Sequence, residues 1–397
     1  MRRSVADCVI VKSRKFLNGI LDGADKRRRR VIPELLQGIL GSGSLVLSRI
    51  SREVIRGKKT LEGLEKHFSV QLASRHWEDG GLRRRMLETA SGYVEADTLI
   101  AVDLSDIAKP RARKMEGLGW VWDGSEGEVA RGYWTFEAYA RRGKGKIIPV
   151  LNFAYSLDLP PGRISEVGMV EGAFREMTQV LGERGVYLMD RGFDGVELMS
   201  RLEPLKARFV LRLRGDRIVF DEEGNPLGSE EELARRTPCP HTCWLPRKGI
   251  PIRVGSHPVR LHGLKRPYWL VVAWFPDAET PVMLLTTEPV RSELDAARIA
   301  GWYSARWAVE EAIRVLKQEL GLESPRVHSF RAIERLAQLA YLAMLLVTTL
   351  LDLPEKTLHR LKRLCPIFER PCNQEYYRLI WGVQALLKRR PTGRIVL

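Results

Sequence analysis

Cysteine is scarce. The 397 residues contain five, at Cys8, Cys239, Cys243, Cys365 and Cys372. So sparse and odd a set argues against a disulfide framework and fits a reducing cytosol. No stretch offers about 20 clean apolar residues, the length needed to cross a bilayer. The most apolar run, LAQLAYLAMLLVTTLL from Leu336 to Leu351, is interrupted by Gln338 and predicts a buried helix with no membrane contact. The opening MRRSVADCVIVKSRKFL lacks a sustained apolar segment and a cleavage pattern, so no signal peptide is expected and the expected location is the cytoplasm. Internal repeats and low-complexity tracts are missing as well. Acidic residues are in deficit: 49 against 65 lysines and arginines, a net charge of +16.

That surplus points to a polyanionic partner. It is spread along the chain, with local densities at Lys26–Arg30, Arg56–Lys59, Arg141–Lys146 and Lys388–Arg390, which suits a long nucleic-acid track better than one small ligand. A hydrophobic content of 44% with 29% charged residues excludes a disordered chain, and the length allows two or three domains.

Residues 1–95 read as helical, with apolar residues at helical spacing through Val31–Ile55 and Pro33 near a helix start. The segment ISREVIRGKKTLEGLEKHFS fits two short helices around Gly57, as a helix-turn-helix or as part of a plain bundle with a basic face. From Thr98 the period changes. TLIAVDLSDI, GYWTFEAYARR and KIIPVLNFAYSL read as strands, the last two joined by a turn at Gly143 and Gly145. A helix opened by Ser165 and closed by Gly182 or Gly185 follows, then the strand VYLMD, a helix DGVELMSRLEPLKA and the strand RFVLRLRG. Three strands, helix, strand, helix, strand is the order of a ribonuclease H-like core. The expected class is therefore α/β: a mixed sheet flanked by helices over 96–217 and 291–350, interrupted by a mostly β insertion over 218–290. Helical regions at 1–95 and 351–397 complete the expected organisation.

Two apolar strands run onto an aspartate, AVD103LS and YLMD190RGF. A charge at the end of a buried strand is costly unless it is paired or binds a metal. A third carboxylate, Glu310, lies in WYSARWAVEEAIRVLK. On one continuous helix Tyr303, Arg306, Glu310 and Lys317 would fall within roughly 60° of one another. Three hard oxygen donors from separate elements suit Mg²⁺ or Mn²⁺. A pair of such ions serves phosphodiester cleavage and transfer.

The segment Y303-SA-R306-WAV-E310-EAIRVL-K317 carries four fixed positions, D190-R-G192-F193 a second block and D103-L-S105 a third. In this order the chain resembles the DDE transposases of the bacterial IS4 type over roughly residues 98–350. The resemblance implies that Asp103, Asp190 and Glu310 are catalytic and hold two Mg²⁺ or Mn²⁺ ions. It implies that Tyr303, Arg306 and Lys317 contact phosphates of a bound element end. Double-stranded DNA would then be the partner, at terminal inverted repeats bound by residues 1–95 and at the target. A homodimer in a synaptic complex and a nucleoid-associated location follow. Such an enzyme cleaves element ends, with a hairpin step in this type, and joins them to target DNA in cut-and-paste transposition.

Several neighbours keep more than one reading. Arg191 fits a phosphate contact or a salt bridge equally. Asp106 fits an assisting role or a turn cap, and Asp194 the cap of the following helix. Cys239, His241 and Cys243 in CPHTC offer soft donors, but a zinc site needs a fourth, and a plain loop is the commoner reading. The resemblance allows one of Trp244, Trp269 and Trp274 to stack on a flipped base, though each also reads as core. A catalytically silent DNA-binding protein and another ribonuclease H-fold nuclease are the rival readings of the whole.

Overall fold

The computed structural model describes residues 4–55, 59–77, 79–124, 126–143, 146–159, 165–245, 249–365 and 375–388. Arg56, Gly57 and Lys58, Lys144 and Gly145, Cys372, and Arg389 and Arg390 lie outside the described residues. The turn expected at Gly57 and parts of three basic densities fall there.

The chain opens with five helices: α1 (Val5–Ile20), α2 (Lys26–Ser42), α3 (Leu47–Val54), α4 (Leu61–Ala73) and α5 (Asp79–Ser91). Ser4 and Asp7 form a reciprocal cap on α1, and Asp25 accepts the Arg28 amide at 2.8 Å to start α2. This corrects the placement of Pro33, which sits inside α2 and not near its start. Its missing N–H leaves the Arg29 carbonyl without its usual partner four residues on.

The sheet then begins with β1 (Leu99–Ala108), β2 (Gly119–Asp123), β3 (Glu128–Arg142) and β4 (Lys146–Tyr155). β3 runs antiparallel to both β1 and β4. Helix α6 (Glu166–Leu181) is capped by the Ser165 hydroxyl and stops at Gly182, whose φ of 63° favours glycine. It leads into β5 (Val186–Met189), α7 (Val196–Leu202) and β6 (Phe209–Arg212), with β1, β5 and β6 mutually parallel. Central parallel strands are covered on both faces, which is why Ile100–Val102 and all of Val186–Met189 are buried. α7 is shorter than DGVELMSRLEPLKA suggested, giving way at Glu203–Leu205 to a tighter turn containing Pro204. β2 was not foreseen, although Gly119–Asp123 alternates strictly between buried and exposed positions.

Residues 218–286 supply β7 (Ile218–Phe220), β8 (Pro226–Ser229), α8 (Glu230–Arg236), β9 (His241–Leu245), β10 (Ile250–Leu261), β11 (Tyr268–Trp274) and β12 (Val282–Thr286). This mostly β stretch extends the same sheet. β12 pairs antiparallel with β6, giving the order β2-β3-β1-β5-β6-β12-β11-β10-β7-β8, with β4 on β3 and β9 on β10.

Helices α9 (Glu293–Ser304), α10 (Trp307–Glu319), α11 (Phe330–Leu350), α12 (Glu355–Lys362) and α13 (Glu375–Lys388) follow. α11 is the apolar run. Every residue from Arg335 to Leu350 is buried, against β4 on one side and the N-terminal helices on the other. It is the one helix among the described residues with the length and composition of a membrane span, and 94% of that window is buried in the protein. Such all-round apolarity marks a core helix.

Arg335 ties the two halves together. Its guanidinium donates to the carbonyls of Leu72 at 2.6 Å, Ser74 at 2.7 Å and Trp77 at 2.8 Å, so it satisfies groups left open beyond the end of α4. Arg335→Met leaves these carbonyls buried without a donor. It should lower the unfolding free energy by about 3 kcal/mol or more, read from the urea midpoint.

Candidate active site

Asp103 and Asp190 stand side by side because of strand register. β1 and β5 pair through Ala101 and Leu188, and each aspartate lies two residues beyond. Asp190 Oδ1 accepts the Gly192 amide at 2.8 Å, and a Cβ on Gly192 would lie 3.0 Å from that oxygen. The tight Asp-x-Gly turn thus holds the carboxylate at the strand end.

Arg306 joins the first strand to α10. Its Nη1 lies 3.2 Å from Asp103 Oδ2 and its Nη2 2.9 Å from Glu310 Oε1. Burial pushes the Asp103 carboxyl up to about 7, helped by the negative charges of Asp190 and Glu310 and opposed by Arg306. The three carboxylates therefore feel one another, as three separate elements converge.

The phenol, guanidinium, carboxylate and ammonium do not share one helix. The expected continuous stripe is corrected by a break at Ala305–Arg306, where the backbone bonds tighten: Ala305 N to Trp302 O at 2.9 Å and Arg306 N to Tyr303 O at 3.0 Å. Ser304 Oγ donates back to Gly301 O at 2.6 Å, a bond that bends helices. Tyr303 thus lies in the last turn of α9, Arg306 at the N-cap position of α10, Glu310 in its first turn and Lys317 in its last. Burial raises the Tyr303 phenol while Arg306 and Arg212 counter it and Asp190 adds to it, which places Tyr303 beside the carboxylates. Lys317 is directed elsewhere: its Nζ is 3.2 Å from Asp106 Oδ1 and 2.8 Å from Glu323 Oε1. Asp106 is therefore an ion-pair partner and not a turn cap.

Arg191 is exposed, and among the described residues it has no ion pair. Asp194 does not cap α7, whose N-cap is Gly195. It is buried, accepts the Arg214 amide at 2.7 Å and pairs with Arg217.

Three features went unremarked in the sequence. Glu137, on β3 in register with Asp103 on β1, is fully buried and accepts from Tyr139 at 2.6 Å, Tyr341 at 2.7 Å and Asn152 at 2.8 Å. Burial raises its pKa. A lone glutamate within GYWTFEAYARR was the available signal. Arg212, at the end of β6, lines a cavity of about 540 Å³ with Tyr303, Arg306, Trp307, Leu245 and Phe275. The run Lys109–Lys114 places four cations, Lys109, Arg111, Arg113 and Lys114, just beyond β1.

In the insertion Trp244 is 67% exposed, whereas Trp269 and Trp274 pack partly into the core. Cys239 and Cys243 pack against different apolar clusters, and His257 Nδ1 bonds the Pro258 carbonyl at 2.7 Å. Among the described residues no three histidine, cysteine, aspartate or glutamate side chains are set to enclose a metal. For the zinc reading this agrees with the divergent cysteines. It holds for the three carboxylates as they stand as well, because Arg306 lies between Asp103 and Glu310, although carboxylate oxygens are the donor type a hard divalent cation takes.

Residues 152–346, just under half of the 397, match the Transposase DDE domain family. The match supports a DDE-type transposase. It takes in Asp190, Tyr303, Arg306, Glu310 and Lys317 and begins after Asp103. The family implies a DNA-binding enzyme of cleavage and strand transfer, and its members generally use divalent metals. No curated protein matches the chain.

Folding favours the protonated Asp103, because its value of about 7 exceeds the ordinary 3.8. Its charge therefore costs stability increasingly as pH rises between these values, and fully above them. In chelator, Asp103→Asn should raise the melting temperature at pH 8, with the gain shrinking toward pH 4. Mg²⁺ should raise the melting temperature of the parent protein more than that of the variant, measured by scanning fluorimetry.

Proposed function

We infer that the chain is a cut-and-paste transposase of the IS4 type. The observation that carries this reading is the convergence of Asp103, Asp190 and Glu310, with Arg306 bridging two of them. The sheet order β4-β3-β1-β5-β6, with the first two strands antiparallel and the last three parallel, supports a ribonuclease H-like core. In this reading that core covers 96–217 and 291–350, with 218–290 as its insertion.

Asp103, Asp190 and Glu310 would hold two Mg²⁺ or Mn²⁺ ions. When bound, these activate a water or a 3′-hydroxyl and stabilise the leaving oxygen. Arg306 exchanges its carboxylate partners for a phosphate, which its fork grips in two bonds. Tyr303 hydrogen-bonds the same backbone from the last turn of α9, Arg191 reaches an adjacent phosphate, and Lys317 would meet a phosphate farther along α10 by leaving Asp106 and Glu323. The cavity under Arg212 and Tyr303 has apolar walls and a cationic rim, which suits an unstacked base beside its phosphate, and exposed Trp244 offers a stacking face. The helices of 1–95 read the terminal repeats, and two copies synapse both ends. Hydrolysis frees a 3′-hydroxyl, which attacks the opposite strand to form a hairpin. After reopening it joins target DNA.

Purified protein incubated with Mg²⁺ or Mn²⁺ and labelled duplex from the ends flanking its own gene should nick at the repeat boundary and give hairpin or joined products. Asp190→Asn and Glu310→Gln should each cut nicking by roughly 10³-fold or more while binding duplex as before. Retained cleavage in either variant would remove that residue from the site. Tight binding with no strand breakage would favour a silent DNA-binding protein, and hydrolysis without joining a nuclease.

A further inference from the structure

A second cationic site lies where β1 ends. Its walls come from three elements: Arg49 on α3, the segment Lys109–Met115 after β1, and the turn Glu323–His328 between α10 and α11. The groove encloses about 700 Å³. Arg49, Arg111, Arg113, Lys114 and Arg326 are exposed there, and among the described residues none has an ion pair. Glu323 is the acidic side chain among the described lining residues, and Lys317 already engages it at 2.8 Å.

The walls are fixed to one another. Buried Lys109 donates to the carbonyls of Glu323 and Pro325, the latter at 3.0 Å. Ser324 Oγ accepts the Leu45 amide at 2.8 Å, just before α3. Glu116 N donates to His328 O at 2.9 Å, and Glu116 Oε2 accepts the Phe330 amide at 2.9 Å. Five exposed cations are thus held around a pre-formed trough, the arrangement expected for a linear polyanion and not for a compact ligand.

β1 measures the distance to the carboxylates. Lys109, a lining residue of the groove, lies six positions on from Asp103, which at about 3.3 Å each is about 20 Å. Duplex DNA rises about 3.4 Å per base pair, so a duplex lying along β1 would cover the span in about six base pairs. We propose that the groove of Arg49, Arg111, Arg113, Lys114 and Arg326 grips the phosphodiester backbone of duplex DNA about six base pairs from the scissile bond. Arginine and lysine grip phosphates whatever the sequence, and such contacts set a protein's register on the duplex. The distance to the scissile bond rests on the transposase reading; the binding itself does not.

The test compares the parent protein with Arg111→Ala/Arg113→Ala/Lys114→Ala and with Arg49→Ala/Arg326→Ala, both first shown to keep the parent's melting temperature. Fluorescence anisotropy measures affinity across a salt series for three probes: an element-end duplex, an unrelated duplex and single-stranded RNA. The triple variant should bind both duplexes about tenfold more weakly or worse, with the log–log salt slope smaller by about 0.9 for each phosphate left without its cation. The double variant should shift in the same direction. Phosphate-ethylation interference about six base pairs from the nick, on the element side or on the flank, would identify which DNA occupies the groove. Unchanged affinity and slope in both variants would overturn the inference while leaving the transposase reading intact. Loss confined to the element-end duplex, or tighter binding of RNA than of duplex, would also overturn it. Weakened binding by a protein that never cuts would uphold the groove and sink the transposase reading.

Discussion

The centre of this protein depends on holding three partly buried carboxylates near one another. β1 and β5 deliver Asp103 and Asp190 by register, and α10 delivers Glu310. Without a cation such a cluster would be pushed apart by its own charge. Arg306 supplies that cation, and its planar fork reaches Asp103 with one nitrogen and Glu310 with another. The break between α9 and α10 belongs to the same constraint, because it sets the arginine at a helix start instead of one turn along an unbroken stripe. The residue types of the helical block are those read from the sequence; their disposition in space is not.

The parts of the fold written in burial and capping were legible. All four residues of Val186–Met189 are buried, so an apolar run ending on aspartate could be read as a central strand. Ser165 and Gly182 punctuate α6 as their chemistry dictates. Trp244, Trp269 and Trp274 look alike in sequence, and only the strand neighbours decide that Trp244 faces solvent. The α9–α10 break was illegible because amphipathic spacing continues across it and no proline marks it. Asp194 looked like a helix cap by position but is claimed by Arg217, twenty-three residues away, a tertiary pairing that no local rule contains. The Lys109–Lys114 run could be read directly, yet it did not stand out in a chain already carrying a net charge of +16.

Buried polar groups give the core its specificity. Glu137 is enclosed by three donors from β3, β4 and α11, and Arg335 by three carbonyls at and beyond the end of α4. Apolar contacts alone would let α11 slide or rotate, since its surface is nearly uniform. These two networks fix its depth and angle, because any shift would strand a charge or a carbonyl inside.

The join between β6 and β12 has a mechanical meaning. Strands 218–286 are stitched edge to edge onto the sheet that carries the aspartates, and α9 packs across β9, β10, β11 and β6, so this outlying portion is braced twice and is not a swinging arm. Arg212 sits at that join, in register with Leu284. Leu245, next to Trp244, shares a cavity with Arg212 and Tyr303, so the exposed indole and the guanidinium belong to one braced surface.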